Sequence, residues 1–138
     1  MQDCIFCRII TGEVPADKVY EDDKYLAFLD IAPINPGHTL LVPKKHYQDI
    51  ISAPDEVLCE IMKLARLLGA SVMKGLEAPA FNLGVNTGKE AGQAVFHLHL
   101  HVIPRFENDG HKMWGGGSYR GGEAGRVAEK IKKEMTRK

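Results

Sequence analysis

The sequence predicts an α+β fold built on about five short antiparallel strands with helices between and after them. Three observations carry that prediction. Two apolar runs, Val19–Glu21 and Tyr25–Asp30, are separated only by Asp22-Asp23-Lys24, which is a hairpin signature. Val57, Ile61, Leu64, Leu68 and Val72 recur at helical spacing through the middle of the chain. The run His97-Leu98-His99-Leu100-His101-Val102 alternates with the two-residue period of a strand.

Cys4 to Ile10 reads as a short helix stopped by Gly12 with Pro15 beyond, so Cys4 and Cys7 share one face. The hairpin follows, then a loop punctuated by Pro33, Pro36 and Gly37, then a third strand at Thr39–Val42 that Pro43 ends. Ser52-Ala53-Pro54-Asp55 carries a capping residue, an early proline and an acid three after the cap, which together start the long helix. Cys59 within it reads as a small buried thiol. A fourth strand is expected over 81–86, and the loop Thr87–Gln93, with Gly88 and Gly92, joins it as a hairpin to the histidine strand. Residues 107–122 are glycine-rich, and an amphipathic helix begins at about Ala124 with Val127, Ala128, Ile131 and Met135 on one face.

Length and charge exclude several function classes. A chain of 138 residues is expected to form one domain, 1–138, with a substantial core. Its 18 basic and 18 acidic residues cancel, so no overall field attracts nucleic acid or an anionic membrane. Asp3 and Arg8 interrupt the apolar N-terminus where a signal peptide needs an unbroken apolar run, and no segment approaches membrane-spanning length. The expectation is a cytoplasmic protein with no membrane or nucleic-acid partner. In that reducing setting Cys4 and Cys7 read as metal ligands or free thiols rather than a disulfide.

Alternation places His97, His99 and His101 on one face of the strand and Leu98, Leu100 and Val102 in the core. Such a row can bind a metal that activates water. The first and third rings, however, start roughly 13 Å apart at about 3.3 Å per residue, too far to share an ion in a straight strand. A row of imidazoles can instead act covalently, one neutral ring attacking phosphorus while the others orient it and hold oxygens. No acid from Val95 to Arg105 supplements the row, although many histidine-rich hydrolytic metal sites include one. A non-catalytic nucleotide-binding module is a third reading.

His97-Leu-His99-Leu-His101-Val102-Ile103 resembles the signature of the histidine triad family, three histidines alternating with apolar residues, preceded by Gly92-Gln93 and followed by Pro104-Arg105. Cys4 to Ile10, Leu26 to Ile31, Pro36-Gly37-His38, Leu41 to His46 and Val85-Asn86 resemble the same family in order, so the likeness runs over about residues 3–106. The resemblance implies an antiparallel sheet flanked by helices and extended across a homodimer. It also implies hydrolysis or transfer at a nucleotide α-phosphorus, on dinucleoside polyphosphates or nucleoside phosphoramidates, with a purine, adenine before guanine, as the base.

Carried residue by residue, the resemblance makes His99 the nucleophile, with His101 and His38 supporting the phosphate. Asp30 would hold the ribose, and Phe6, Ile9, Phe28 and Ile31 the base. Asn86, Gly92, Gln93 and His101 would approach the phosphate and leaving group. Several members carry Ser or Thr where this chain has Ala94, so backbone donors or Gln93 would replace a hydroxyl contact. In zinc-containing relatives the ligands correspond to Cys4, Cys7, His46 and His97, a closed and therefore structural site of two thiolates and two imidazoles. No metal is then required for the chemistry.

Overall fold

A computed structural model describes residues 3–135. The chain runs through α1 (Ile5–Ile10), β1 (Lys18–Glu21), β2 (Tyr25–Leu29), β3 (Thr39–Pro43), α2 (Asp55–Leu76), β4 (Ala80–Gly84), β5 (Leu100–Arg105) and α3 (Glu123–Glu134). The five strands form one sheet in the order β1-β2-β3-β5-β4, and every neighbouring pair is antiparallel. The α+β fold is the one expected.

The sheet is covered on both faces, and the strand period sorts its residues between them. Tyr25, Ala27, Leu41 and Leu100 join Leu98 and the α2 residues Ile61 and Ala65 in one apolar cluster. Leu26, Phe28, Leu40 and Val42 join the α1 residues Phe6 and Ile9 in the other. Because β2 and β3 sit between these layers, they are buried nearly throughout and lose the half-exposed alternation of a surface strand. Leu40 pairs with His101 and with Phe28, so the His101 side chain of β5 lies on the α1 side of the sheet.

Four expectations need correction. The imidazole row is not wholly strand: β5 begins at Leu100, a bend runs through Val95 to His97, and Leu98 and His99 lie outside the regular ladder. The ladder with β3 stops at the Leu41–Leu100 pair, and Leu98 N–H bonds instead to the Tyr47 carbonyl. β4 and β5 do pair, but residues 85–99 between them make a long loop with a single 3-10 turn at Lys89–Ala91, not a tight hairpin. Ser52 does not cap α2, whose N-cap is Pro54; its hydroxyl and the backbone around it bond to Asp49 instead. Cys59 is exposed rather than buried.

At Gly69, α2 packs tightly over β4. A Cβ there would stand 2.2 Å from the Phe81 ring, so only hydrogen fits between helix and β4. Replacing Gly69 by Val is expected to destabilise the protein by about 1–3 kcal/mol through overpacking, offset only slightly by better helix propensity. Urea unfolding of the variant measures this, and an unchanged midpoint would mean that Phe81 swings aside at no cost.

Candidate active site and metal centre

The backbone decides which nitrogen of each imidazole carries a proton. His99 Nδ1 lies 2.8 Å from the His97 carbonyl, which can only accept, so Nδ1 is protonated and the Nε2 lone pair is free in the neutral ring. Ile34 N–H donates to His38 Nδ1 at 3.0 Å, so the neutral His38 ring carries its proton on Nε2. That Nε2 donates to His101 Nδ1 at 2.9 Å, which leaves His101 with a proton on Nε2. The His99 and His101 rings stand 5.0 Å apart, so a free lone pair and an N–H donor are presented side by side.

Burial keeps these rings neutral. His99 and His38 are both held below the ordinary imidazole range, chiefly by burial, although Asp30 near them pulls the other way. His101 is pushed down to about 4 by burial and then by His99 and His38. Asp30 has one carboxylate oxygen 3.6 Å from His38 Nε2, while the other accepts from Ala32 N–H. It therefore faces the relay from the end of β2 and also braces the turn after it.

A second cluster lies beside the first. One ligand atom from each of Cys4, Cys7, His46 and His97 falls within 4.8 Å of the others. His97 Nε2 is 2.8 Å from the Pro43 carbonyl, so it carries the proton and Nδ1 is left as the acceptor, 3.4 Å from Cys4 Sγ and 3.6 Å from Cys7 Sγ. His46 Nδ1 lies 3.4 Å from Cys7 Sγ. α1 supplies the cysteine spacing, with Cys4 as its N-cap, and the β3–α2 connection supplies His46. The Cys7 thiol is pushed up to about 11 by burial and by Cys4, so it stays protonated unless a cation compensates the thiolate. Two sulfurs and two correctly oriented nitrogens suit zinc and leave no open position.

The other expected site residues are placed as follows. Phe6 meets His99 and His97 edge-on at 5.0 and 5.9 Å, and Phe28 meets Phe6 at 5.4 Å. Phe6, Ile9 and Phe28 are all buried in the α1-side cluster, whereas Ile31 is 99% exposed beyond the end of β2. Gly92 has φ +95°, a conformation that accounts for glycine there, and its missing Cβ would lie 3.5 Å from Asn86 Nδ2. The Gln93 amide is engaged within the loop. Its Nε2 donates to the Gln48 and Val95 carbonyls, and its Oε1 accepts from Gly88 N–H. In this arrangement the Gln93 side chain ties the loop together, joining Gly88, Gln48 and Val95.

Sequence reasoning missed the brace behind the relay. Asn35 accepts from His38 N–H through its carbonyl, and its side chain donates to the Pro104 carbonyl and to Asp109. Asp109 receives two guanidinium bonds from Arg105 and the backbone N–H groups of Phe106 and His111. Only the short spacing from Arg105 to Asp109 signalled it; the Asn35 contact spans 74 residues.

The HIT domain family model matches residues 11–108. A relative from Arabidopsis thaliana named adenylylsulfatase is 44% identical over 107 residues, 78% of this chain and 54% of that protein. The crystal structure of a HIT family member from Bacillus subtilis superposes with a TM-score of 0.88 at 34% identity, covering 99% of each chain. A Zn-bound histidine triad family protein from Mycobacterium smegmatis superposes with a TM-score of 0.76 at 36% identity, covering 97% of this chain and 96% of that one.

The depressed histidines make stability depend on pH. In the unfolded chain His101 titrates near 6.5 and in the folded protein near 4, so its contribution is complete above 6.5 and is lost as pH falls toward 4. The melting temperature should therefore fall between pH 7 and pH 5. A His101→Asn variant should show a shallower fall in the same scan, and an unchanged slope would assign the dependence elsewhere.

Proposed function

The chain belongs to the HIT domain family, and on that premise we propose that it hydrolyses or transfers nucleotide α-phosphate derivatives through a covalent nucleotidyl-histidine on His99. The observation that carries the proposal is the His99 Nδ1–H bond to the His97 carbonyl, which fixes the ring and leaves its Nε2 lone pair free. Substrates would be dinucleoside polyphosphates, nucleoside phosphoramidates or related mixed anhydrides. The Arabidopsis relative's name, adenylylsulfatase, supports an adenylyl group over a guanylyl one. The wider reading includes a homodimer and a single domain over 1–138.

In the first step His99 Nε2 forms a bond to the α-phosphorus, and the bond from phosphorus to the leaving group breaks. The attacking ring becomes a cation that its carbonyl partner stabilises, as an orienting acceptor does for other histidine catalysts. His101 Nε2–H, backed by His38, donates to a phosphate oxygen or to the departing group. In the second step water attacks the phosphorus and the P–N bond breaks, the His99 ring returns to neutral, and the proton that water loses goes back to His101 where that ring gave its own to the departing group, or otherwise to solvent. On this reading Asp30 would hold the ribose, Phe6, Ile9, Phe28 and Ile31 would border the base, and Asn86, Gly92, Gln93 and His101 would approach the phosphate.

Asp30, His38 and His101 come close enough together to be weighed as a catalytic cation site. A cation there needs the His38 Nε2 lone pair, which moves the proton to Nδ1, directly against Ile34 N–H. The metal-free relay is the better use of these groups. At the other cluster Cys4, Cys7, His46 and His97 would hold zinc, and the chemistry zinc supplies there is structural, tying α1 to the catalytic segment.

Replacing His99 by Asn should lower kcat by about four to six orders of magnitude, as when other covalent catalysts lose their nucleophile, with nucleotide binding and melting temperature nearly kept. Steady-state hydrolysis of an adenylylated substrate panel measures this, and near-normal turnover would overturn the mechanism. Metal analysis should find about one zinc per chain through the Cys2His2 set. A Cys4→Ser, Cys7→Ser double variant should lose it and melt at lower temperature while retaining part of its hydrolysis. If stripping zinc stops turnover without altering stability, the metal is catalytic instead.

A further inference from the structure

Asn35-Pro36-Gly37-His38 is a tight turn of the type II pattern, with proline second, Gly37 third at φ +98°, and His38 N–H closing it on the Asn35 carbonyl at 3.0 Å. Ile34, just before the turn, gives its N–H to His38 Nδ1 at 3.0 Å. Turn and ring therefore move as one unit. No residue from 31 to 37 belongs to a strand, so the place of that unit depends on what fastens it to the sheet.

The polar fastening is the Asn35 side chain. The β3–β5 ladder ends at the Thr39–Val102 pair, and two residues farther along β5 Pro104 has no N–H with which to extend it. The Pro104 carbonyl takes one Asn35 Nδ2 proton at 2.9 Å, and Asp109 Oδ2 takes the other at 2.9 Å. A carbonyl and a carboxylate only accept, so the amide stands one way round. Asn35 is 8% exposed and Pro104 is fully buried, so water competes little for these bonds. Asp109 is itself fixed by two bonds from Arg105 and by the N–H groups of Phe106 and His111. The turn that carries His38 is thus tied to the strand that carries His101.

We propose that Asn35 is a positioning residue that sets the direction of the His38–His101 hydrogen bond, which rests on the reading above of His101 as the donor to the phosphate or departing group. With Ile34 N–H held against His38 Nδ1, the His38 proton stays on Nε2 and goes to His101 Nδ1, so His101 presents its own N–H outward. If the turn drifts, His38 Nδ1 loses its donor and becomes free to hold the proton. His38 Nε2 then accepts from His101 Nδ1–H, each neutral ring still carries one proton, and His101 turns a lone pair toward the substrate. A lone pair repels a phosphate oxygen that an N–H would bind. Asp30, 3.6 Å from His38 Nε2, favours the productive direction from the other end, so losing Asn35 weakens the preference without abolishing it.

The test reads the ring protons. Protein labelled with 15N-histidine is recorded at about pH 8, above the ordinary imidazole range, and long-range proton–nitrogen correlations show which nitrogen of each ring carries hydrogen. Spectra of His38→Gln and His101→Asn assign the signals. The natural sequence should show Nε2–H on both rings. Asn35→Ala should shift the nitrogens of both toward the Nδ1–H form and lower kcat on an adenylylated substrate by about tenfold to a hundredfold, with KM nearly unchanged. Asn35→Ser, which can keep one of the two bonds, should show smaller changes in the same sense and decides the question if the alanine variant does not fold. Ile61→Val, which loosens the α2-side core instead, should leave the nitrogen pattern as it is. Unchanged nitrogens in the Asn35 variants, the same change in Ile61→Val, or a shifted pattern with full kcat overturns the proposal. If no adenylylated substrate is turned over even by the natural sequence, the proposed chemistry fails, and the nitrogen pattern alone still decides whether Asn35 directs the pair.

Discussion

The arrangement of protons on the histidines depends on backbone carbonyls and amides that cannot change their roles. The His97 carbonyl takes the Nδ1 proton of His99, the Pro43 carbonyl takes the Nε2 proton of His97, and Ile34 N–H occupies Nδ1 of His38. A carbonyl has no proton to give and an amide no lone pair to offer, so each neutral ring has one available tautomer. From this follow a free Nε2 on His99, a free Nδ1 on His97 toward the two sulfurs, and a donor at His101. Burial reinforces the arrangement by holding the rings neutral.

These contacts require the irregular stretch that carries His97 and His99. Regular pairing to β3 through residue 97 would engage its carbonyl in the ladder and deny it to the His99 ring. The chain instead leaves the β3 ladder at Leu100, and the Leu98 N–H goes to Tyr47. Leu98 and Leu100 stay in the α2-side core, so the departure costs no apolar burial. The zinc-type cluster then sits at the other end of that stretch, where α1, the β3–α2 connection and His97 meet. Its closure would hold Phe6 of α1 edge-on against His99, so the candidate metal site and the proposed nucleophile share a wall.

Much of this was legible in the sequence because it is periodic. Two-residue alternation sorted histidines from core leucines even though only His101 lies in the regular strand, since Leu98 still packs in the α2-side core while His97 and His99 both meet Phe6. The stripe from Val57 to Val72 placed α2, and the cysteine spacing with the family likeness gathered Cys4, Cys7, His46 and His97, which the structure brings together. Contacts through backbone atoms left no such trace. Pro43 reads as the end of a strand, not as the acceptor that orients His97, and Gln93 reads as a ligand, though the loop consumes its amide. The Asn35–Asp109 brace joins segments too distant for any local pattern, and Ser52 lost its capping role because Pro54 starts the helix.

The central claim is that His99 becomes covalently nucleotidylated during turnover. Its most direct test is rapid alkaline quenching of the protein mixed with an adenylylated substrate, followed by intact-mass and peptide mass spectrometry. The account predicts a transient mass increase of one adenylyl group, acid-labile as a phosphorus–nitrogen bond is, mapped to His99 and absent from the His99→Asn variant. An adduct on another residue, or full turnover with no adduct at any time point, would contradict it.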